Sequence, residues 1–203
     1  MKRSRSINLA RMRKNPIDVA KPLSVAVAAA TLASCGGSTQ RSEVYMDADH
    51  CKQDNPGLEQ QCDAAYLEAL EVAADSGPKY GSEYQCEKDF GNHNCHNYTS
   101  GSNNWFVPLM AGYMFAKVTD GMNFYRGAPL YTSYSPYSPY YNRWSTVDGW
   151  DYGYRRYGEI RTSKKAFDPK PKVTKTMSRG GFGSKVAAKS SWGGSKSSGG
   201  WGG

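Results

Sequence analysis

Residues 55–78 read NPGLEQQCDAAYLEALEVAADSGP, and the reading of this stretch sets the reading of the rest. Asn55 offers a side-chain oxygen to the free amides that open a helix, and Pro56 suits the first helical position, where its missing N–H costs nothing. An Ala-, Leu- and Glu-rich run continues to Asp75 before Gly77-Pro78 stops it. Leu58, Cys62, Tyr66 and Ala69 or Leu70 recur at helical spacing and form an apolar stripe, with Asp63, Glu68, Glu71 and Asp75 as the polar face. Further on, Ser82 and Gln85 make a capping-box pattern for a shorter helix that Gly91 ends after Phe90.

Four cysteines flank these helices: Cys51, Cys62, Cys86 and Cys95. In an exported chain an even set reads as two disulfides, for which three pairings exist. Sequence proximity favours Cys51 with Cys62 and Cys86 with Cys95, each closing a short loop and contributing roughly 2 to 3 kcal/mol. With 22 Gly, 10 Pro and only 6 Phe in 203 residues, there is little material for a large core. The expectation is a small, mainly α head over residues 43–99 pinned by two disulfides, with the remainder largely irregular or disordered, aromatic and Gly/Ser-rich.

The amino end reads as an address. Lys2, Arg3, Arg5, Arg11, Arg13, Lys14 and Lys21 precede an apolar run from Leu23 to Ala33, the order of a secretory signal. The run ends Leu32-Ala33-Ser34-Cys35, which resembles a bacterial lipobox: residues 1–34 would be removed, Cys35 acylated, and residues 35–42 would serve as anchor and linker. Two or more acyl chains hold a protein on a membrane because each buried methylene contributes roughly 0.8 kcal/mol. About a dozen apolar residues are too few to span a bilayer, which takes about 20. Gly36, rather than aspartate, follows the lipidated position and favours delivery to the outer membrane, facing the periplasm.

The formal charge of +8 belongs mostly to this leader. From Cys35 onward nineteen basic residues meet seventeen acidic ones, so a general nucleic-acid-binding argument fails. The mature charge is instead divided. Residues 35–120 carry five basic and thirteen acidic side chains, and residues 121–203 fourteen basic and four acidic. Such a basic half either folds back on the acidic half, stays solvated, or meets an anionic surface such as lipid headgroups or wall polymer.

Trp105-Phe106-Val107-Pro108-Leu109-Met110 opens the most apolar stretch of the mature chain, and Pro108 predicts a short helix to about Lys117 within an apolar segment over residues 100–120. Residues 121–177 form a Tyr/Pro-rich basic segment. Nine tyrosines fall between Tyr125 and Tyr157, and Tyr131, Tyr134, Tyr137 and Tyr140 repeat every third position with Pro136 and Pro139 between. Polyproline II has three residues per turn, so these rings would form one stripe fit for sugar rings or an envelope partner. Trp105, Phe106 and Phe182 are further candidates for partner contact. Residues 178–203 are Gly/Ser/Lys-rich and predict disorder.

Several of these features together resemble the YgiB-type family of uncharacterised enterobacterial envelope proteins. They are the basic amino end, the ten-residue spacing of Cys51 and Cys62, Pro78-Lys79-Tyr80, the eight-residue spacing of Cys86 and Cys95, Pro108-Leu109-Met110-Ala111-Gly112-Tyr113-Met114, and Arg179-Gly180-Gly181-Phe182-Gly183. The resemblance implies a secreted, lipid-anchored protein without an established activity. Family members are often encoded beside a protein resembling glutathionylspermidine synthase, which implies a shared pathway. The tyrosine-rich stretch departs from the family's pattern.

Catalytic signals are weak: His50, His93 and His96 sit in no triad context, and no nucleophile elbow is present. His93, Cys95 and His96 match no closed zinc module, so neither metal nor cofactor is expected. The leading expectation is a non-catalytic binding or organising factor with an envelope protein or cell-wall polymer as partner; the alternative is a small periplasmic enzyme or accessory subunit linked to wall-peptide or polyamine chemistry. Intact mass spectrometry of the membrane-extracted protein should find a chain beginning at acylated Cys35 that gains the mass of two reduced disulfides. An unprocessed chain with free thiols would overturn the address.

Overall fold

A computed structural model describes residues 39–118, 124–177 and 180–193. The leader and Cys35 lie outside the described residues, as do Arg179 and residues 194–203. From Thr39 onward the chain forms one compact unit, whose described residues make four helices and eight strands. The expectation of a mainly α head with an irregular remainder is therefore wrong.

A four-stranded antiparallel sheet organises the unit, in the order β5 (Phe124–Leu130), β4 (Gly112–Val118), β1 (Thr39–Tyr45), β8 (Gly158–Ser163). Strand β1, at the start of the expected head, pairs on both sides with strands from the second half of the chain. The expected helix after Pro108 is instead the end of β3 (Asn103–Pro108), a short connection, and β4. Tyr113 and Phe115 of β4 point to one face, Met114 and Ala116 to the other, and all four are buried. A strand covered on both faces reads as a continuous apolar run, which periodicity cannot tell from a helix.

One face is covered by α1 (Ala48–Asp54) and α2 (Glu59–Ser76), with Cys51, Cys62, Ala65 and Ala69 packed on Tyr45, Tyr113 and Phe115. Asp47 caps α1 by accepting from the His50 amide at 2.9 Å. Helix α2 begins after the expected Asn55-Pro56 start, because Asn55 closes α1: its amide bonds back to the Cys51 carbonyl. The stop at Gly77 is as expected. Helix α2 lies so close to β5 that a Cβ on Gly127 would sit 1.7 Å from the Ala65 carbonyl oxygen. Glu68 fastens that contact, accepting from the Gly127 amide at 2.9 Å and pairing with Arg126.

The opposite face carries Val44, Met114, Ala128, Leu130 and Ile160 beneath Trp144 and Phe167. Trp144 stands on β6 (Arg143–Ser145), which pairs with β7 (Asp151–Tyr154), and its indole N–H donates to the Arg156 carbonyl at 2.8 Å. Cys51 pairs with Cys62 and Cys86 with Cys95; the second bridge ties α3 (Glu83–Phe90) to the hairpin of β2 (Cys95–Ser100) and β3. Helix α3 starts and ends where its caps predict.

A third core is mostly aromatic. Phe90 stacks on Phe182 at 5.5 Å and meets Tyr80, Tyr131 and Tyr140 edge-on at about 6 Å. Phe182 belongs to α4 (Gly181–Gly193), a helix inside the stretch expected to be disordered. Asp89 holds this helix at its start: one carboxylate oxygen accepts from the Phe182 amide at 2.8 Å and from the Tyr80 hydroxyl at 2.6 Å. A carboxylate there satisfies a free amide and complements the positive end of the helix dipole.

Gly181 has φ 61°, and a Cβ on it would lie 2.0 Å from Asp89 Oδ2. Gly101, in the β2–β3 turn, has φ 62° and open space around it. Changing Gly101 to alanine should therefore cost about 1 kcal/mol of backbone strain, while Gly181→Ala should cost about 2 to 3 kcal/mol and loosen α4. Equal losses in chemical denaturation would argue against the Asp89 clamp.

Burial pushes the hydroxyls of Tyr45, Tyr80, Tyr113, Tyr131 and Tyr140 well above the ordinary tyrosine value. A group whose folded pKa is raised contributes stability present below its unfolded pKa of about 10 and lost as pH rises beyond it. Alkaline titration should thus release the phenolate absorbance of these rings together with loss of the circular dichroism of the fold, above about pH 10. Full ionisation of every tyrosine in a still-folded chain would contradict that.

Candidate functional site: an aromatic and basic groove

The segment from Tyr131 to Tyr157 is folded, and its tyrosines do not form one stripe. Backbone bonds from Asn142 N to Ser133 O at 2.9 Å and from Tyr134 N to Phe90 O at 3.0 Å close residues 134–141 into a loop. Turns at Ser135–Ser138 and Ser138–Tyr141 bend the expected rod, so the two middle rings diverge from the two outer ones. Tyr131 and Tyr140 point inward at 1% and 0% exposure. Tyr134 and Tyr137 point outward at 41% and 97%. Phe182 and Phe106 likewise belong to the aromatic core, and Trp105 stacks beside Tyr98 on the β2–β3 hairpin, away from this loop.

The outward rings are joined by residues that the threefold spacing did not pick out. Arg155 lies over the Tyr134 ring at 5.1 Å and donates to its hydroxyl at 2.9 Å, while the Arg155 amide is tied to the Asn142 carbonyl. Arg143 lies over Tyr154 at 5.0 Å and pairs with Asp151 at 2.7 Å, a hydrogen bond that holds the guanidinium above its ordinary pKa. The loop separates two open hollows that share Ser138 and Pro139. One, of 920 Å³, is walled by Tyr134, Tyr137, Lys88, Asn92 and Ser184; the other, of 710 Å³, by Tyr141, Arg143, Tyr154 and Ser190. On the rim of α4, Lys189 sits over Trp150 at 4.5 Å. A signal for this site was present in the sequence: arginines interleaved with tyrosines at 143, 154 and 155.

Such a surface holds flat, rigid ring faces, fixed cations and small hydroxyl and amide groups together. Tyrosine presents large contact area at low conformational cost, and arginine stacked on a ring has already lost part of its freedom. Among the described residues no group of three or more His, Cys, Asp or Glu side chains is placed to hold a metal ion. Cys95, which sits between the two histidines, is engaged with Cys86.

Lys79, in the Pro78-Lys79-Tyr80 stretch, is buried. Its amine donates to the Val173 and Asp75 carbonyls at 2.7 and 3.1 Å and lies 4.7 Å from the centre of the Trp105 ring. Burial lowers its pKa, against the pull of Asp75. With Met177 N bonded to the Lys79 carbonyl at 2.6 Å, this residue fixes the extended stretch 170–177 across the end of α2. Its place is structural.

The comparisons with known proteins agree with the sequence resemblance. The chain is 37% identical over 204 residues to a UPF0441 protein of Erwinia tasmaniensis, covering 92% of this chain and 91% of that one. A UPF0441 protein of Serratia proteamaculans is 35% identical over 208 residues, covering 94% and 93%. No solved structure matches. Residues 39–193, which run from the first strand to the end of α4, match the family described as protein of unknown function (DUF1190), and the chain belongs to that family.

Proposed function

We propose that this protein is a non-catalytic, lipid-anchored factor of the cell envelope, held through Cys35 at the outer membrane and facing the periplasm, whose tyrosine–arginine groove binds a cell-wall polymer. The observation that supports this reading is the pair of guanidinium–tyrosine stacks, Arg155 on Tyr134 and Arg143 on Tyr154, flanking a loop whose tip, Tyr137, is almost wholly exposed. Exposed ring faces complement the apolar faces of sugar rings, and stacked guanidiniums complement the carboxylates of wall peptides. The two hollows on either side of Ser138-Pro139 suit an extended chain better than a small compact ligand.

The periplasmic address rests on the lipobox, and the disulfides agree with an oxidising compartment. Among the described residues no helix is long and apolar enough to cross a membrane.

Tyr137 and Tyr154 are exposed, so replacing both with serine should leave the fold intact. Each ring contributes roughly 1 kcal/mol, and the double variant should bind purified, protease-treated wall sacculi about thirtyfold less well in a sedimentation assay. Undiminished binding would overturn the groove. Retention only by sacculi that still carry protein would assign it to an envelope protein instead.

A further inference from the structure

The four-stranded sheet has two ends of different chemistry. At one end lie Thr39 of β1, Ser163 of β8, Val118 of β4 and Phe124 of β5; at the other lie Tyr45, Gly158, Gly112 and Leu130. The segment carrying the groove leaves the sheet at Leu130 and returns at Gly158, so both of its junctions lie at the second end. The strands rise about 3.3 Å per residue, which separates the two ends by about 20 Å.

The first end is basic. Arg41 of β1 stands directly opposite Arg161 of β8. On the other side of β1, continuing the Glu43–Phe115 register by two residues brings Lys117 of β4 abreast of Arg41. Because side chains alternate along each strand, Arg161, Arg41 and Lys117 share one face, and all three are exposed. Lys164 and Lys165 follow at the end of β8, and the exposed ring of Phe124 starts β5 at the same end. Like charges directly opposite in a sheet are destabilising, and Glu159, at 3.6 Å from Arg41 in an exposed pair, offsets little of that. A row of cations kept at such a cost fits an anionic partner.

We infer that the Arg41–Arg161–Lys117 end of the sheet seats on the anionic headgroups of the membrane that carries the protein, holding the aromatic groove on the far side. The orientation rests on the proposed acylation of Cys35: only three residues lie between it and Thr39, a span of at most about 14 Å even when fully extended. That tether keeps the basic end near the headgroups, where screening over about 8 Å still leaves surface charges effective.

The test uses the chain from Gly36 onward, which carries no acyl group and contains the whole compact unit, oxidised and mixed with vesicles. The unit should sediment with vesicles of phosphatidylethanolamine and phosphatidylglycerol but not with phosphatidylcholine alone. Each cation removed near such a surface lowers partition about fivefold, and its reversal by more. The R41E/K117E/R161E variant should therefore lose binding by at least tenfold, while R155E/R156E at the groove end stays within about twofold of the parent. The milder R41Q/K117Q/R161Q variant, with an unchanged melting temperature, separates lost binding from lost fold. Failure of the parent chain to bind, or equal losses in the two reversals, would overturn the seating surface. A mass spectrum lacking acyl groups on Cys35, with vesicle binding intact, would overturn the anchor and the orientation while leaving the surface in place.

Discussion

Two adjacent residues, Asp89 and Phe90, hold the second half of the chain to the first. The Asp89 carboxylate takes the opening amide of α4 and the hydroxyl of Tyr80, and its backbone carbonyl accepts from Ser133 and Tyr140. Phe90 puts its ring among Tyr80, Tyr131, Tyr140 and Phe182, and its carbonyl receives the amide that begins the 134–141 loop. Burying a carboxylate is costly unless it is hydrogen-bonded, and here each bond goes to a different part of the chain. Helix α3, which presents both residues, is itself fixed by the Cys86–Cys95 bridge and by its Ser82 cap. The groove is thus positioned by the same disulfide-bonded helix that the acidic first half contributes.

The division of charge in the sequence has a corresponding physical use. Arg126 and Lys172 from the basic half pair with Glu68 and Asp75 on one side of α2, so part of the basic half folds back on the acidic half. Glu68 matters more than an exposed ion pair would, because it also takes the Gly127 amide where helix and strand approach too closely for a side chain. Exposed pairs such as Lys172–Asp75 contribute little by themselves. What closes the unit is β1, paired between β4 and β8 with Val44 and Tyr45 buried on opposite faces. A head made of residues 43–99 alone would leave that strand without neighbours.

Caps and cysteines were legible in the sequence because they act over a few residues: Ser82, Gly91 and Gly77 end helices through local backbone geometry, and both bridges join near neighbours. The sheet was not, for two reasons. Its core is supplied by tyrosines, a tryptophan and small residues rather than by the Val- and Ile-rich runs that mark strands, and β5 carries Gly127 and Pro129 in its middle. The threefold tyrosine spacing misled because Pro136 and Pro139 sit in turns, which send Tyr140 into the core and Tyr137 to solvent. Helix α4 left a faint trace, Phe182 and Val186 four residues apart and both buried, within a composition that otherwise reads as disordered. Of the groove, the tyrosines were visible as a class, but their partition into core and surface depends on contacts from α3 and α4 that no local pattern encodes.

That partition also explains how so polar a chain keeps a binding surface rigid. The buried Tyr131 and Tyr140 bracket the exposed Tyr134 and Tyr137 along the same short stretch, so the residues that fill the core also stiffen the loop that displays the others. Each displayed ring that carries a guanidinium has it held from behind: Arg155 through its own amide to Asn142, and Arg143 through Asp151. Side chains ordered before a contact lose less entropy on making it, which favours the binding role proposed for this shallow, open groove. With β1 through the centre of the sheet, Thr39 lies at one end of the strands, and the segment that carries the rings joins the sheet at the other.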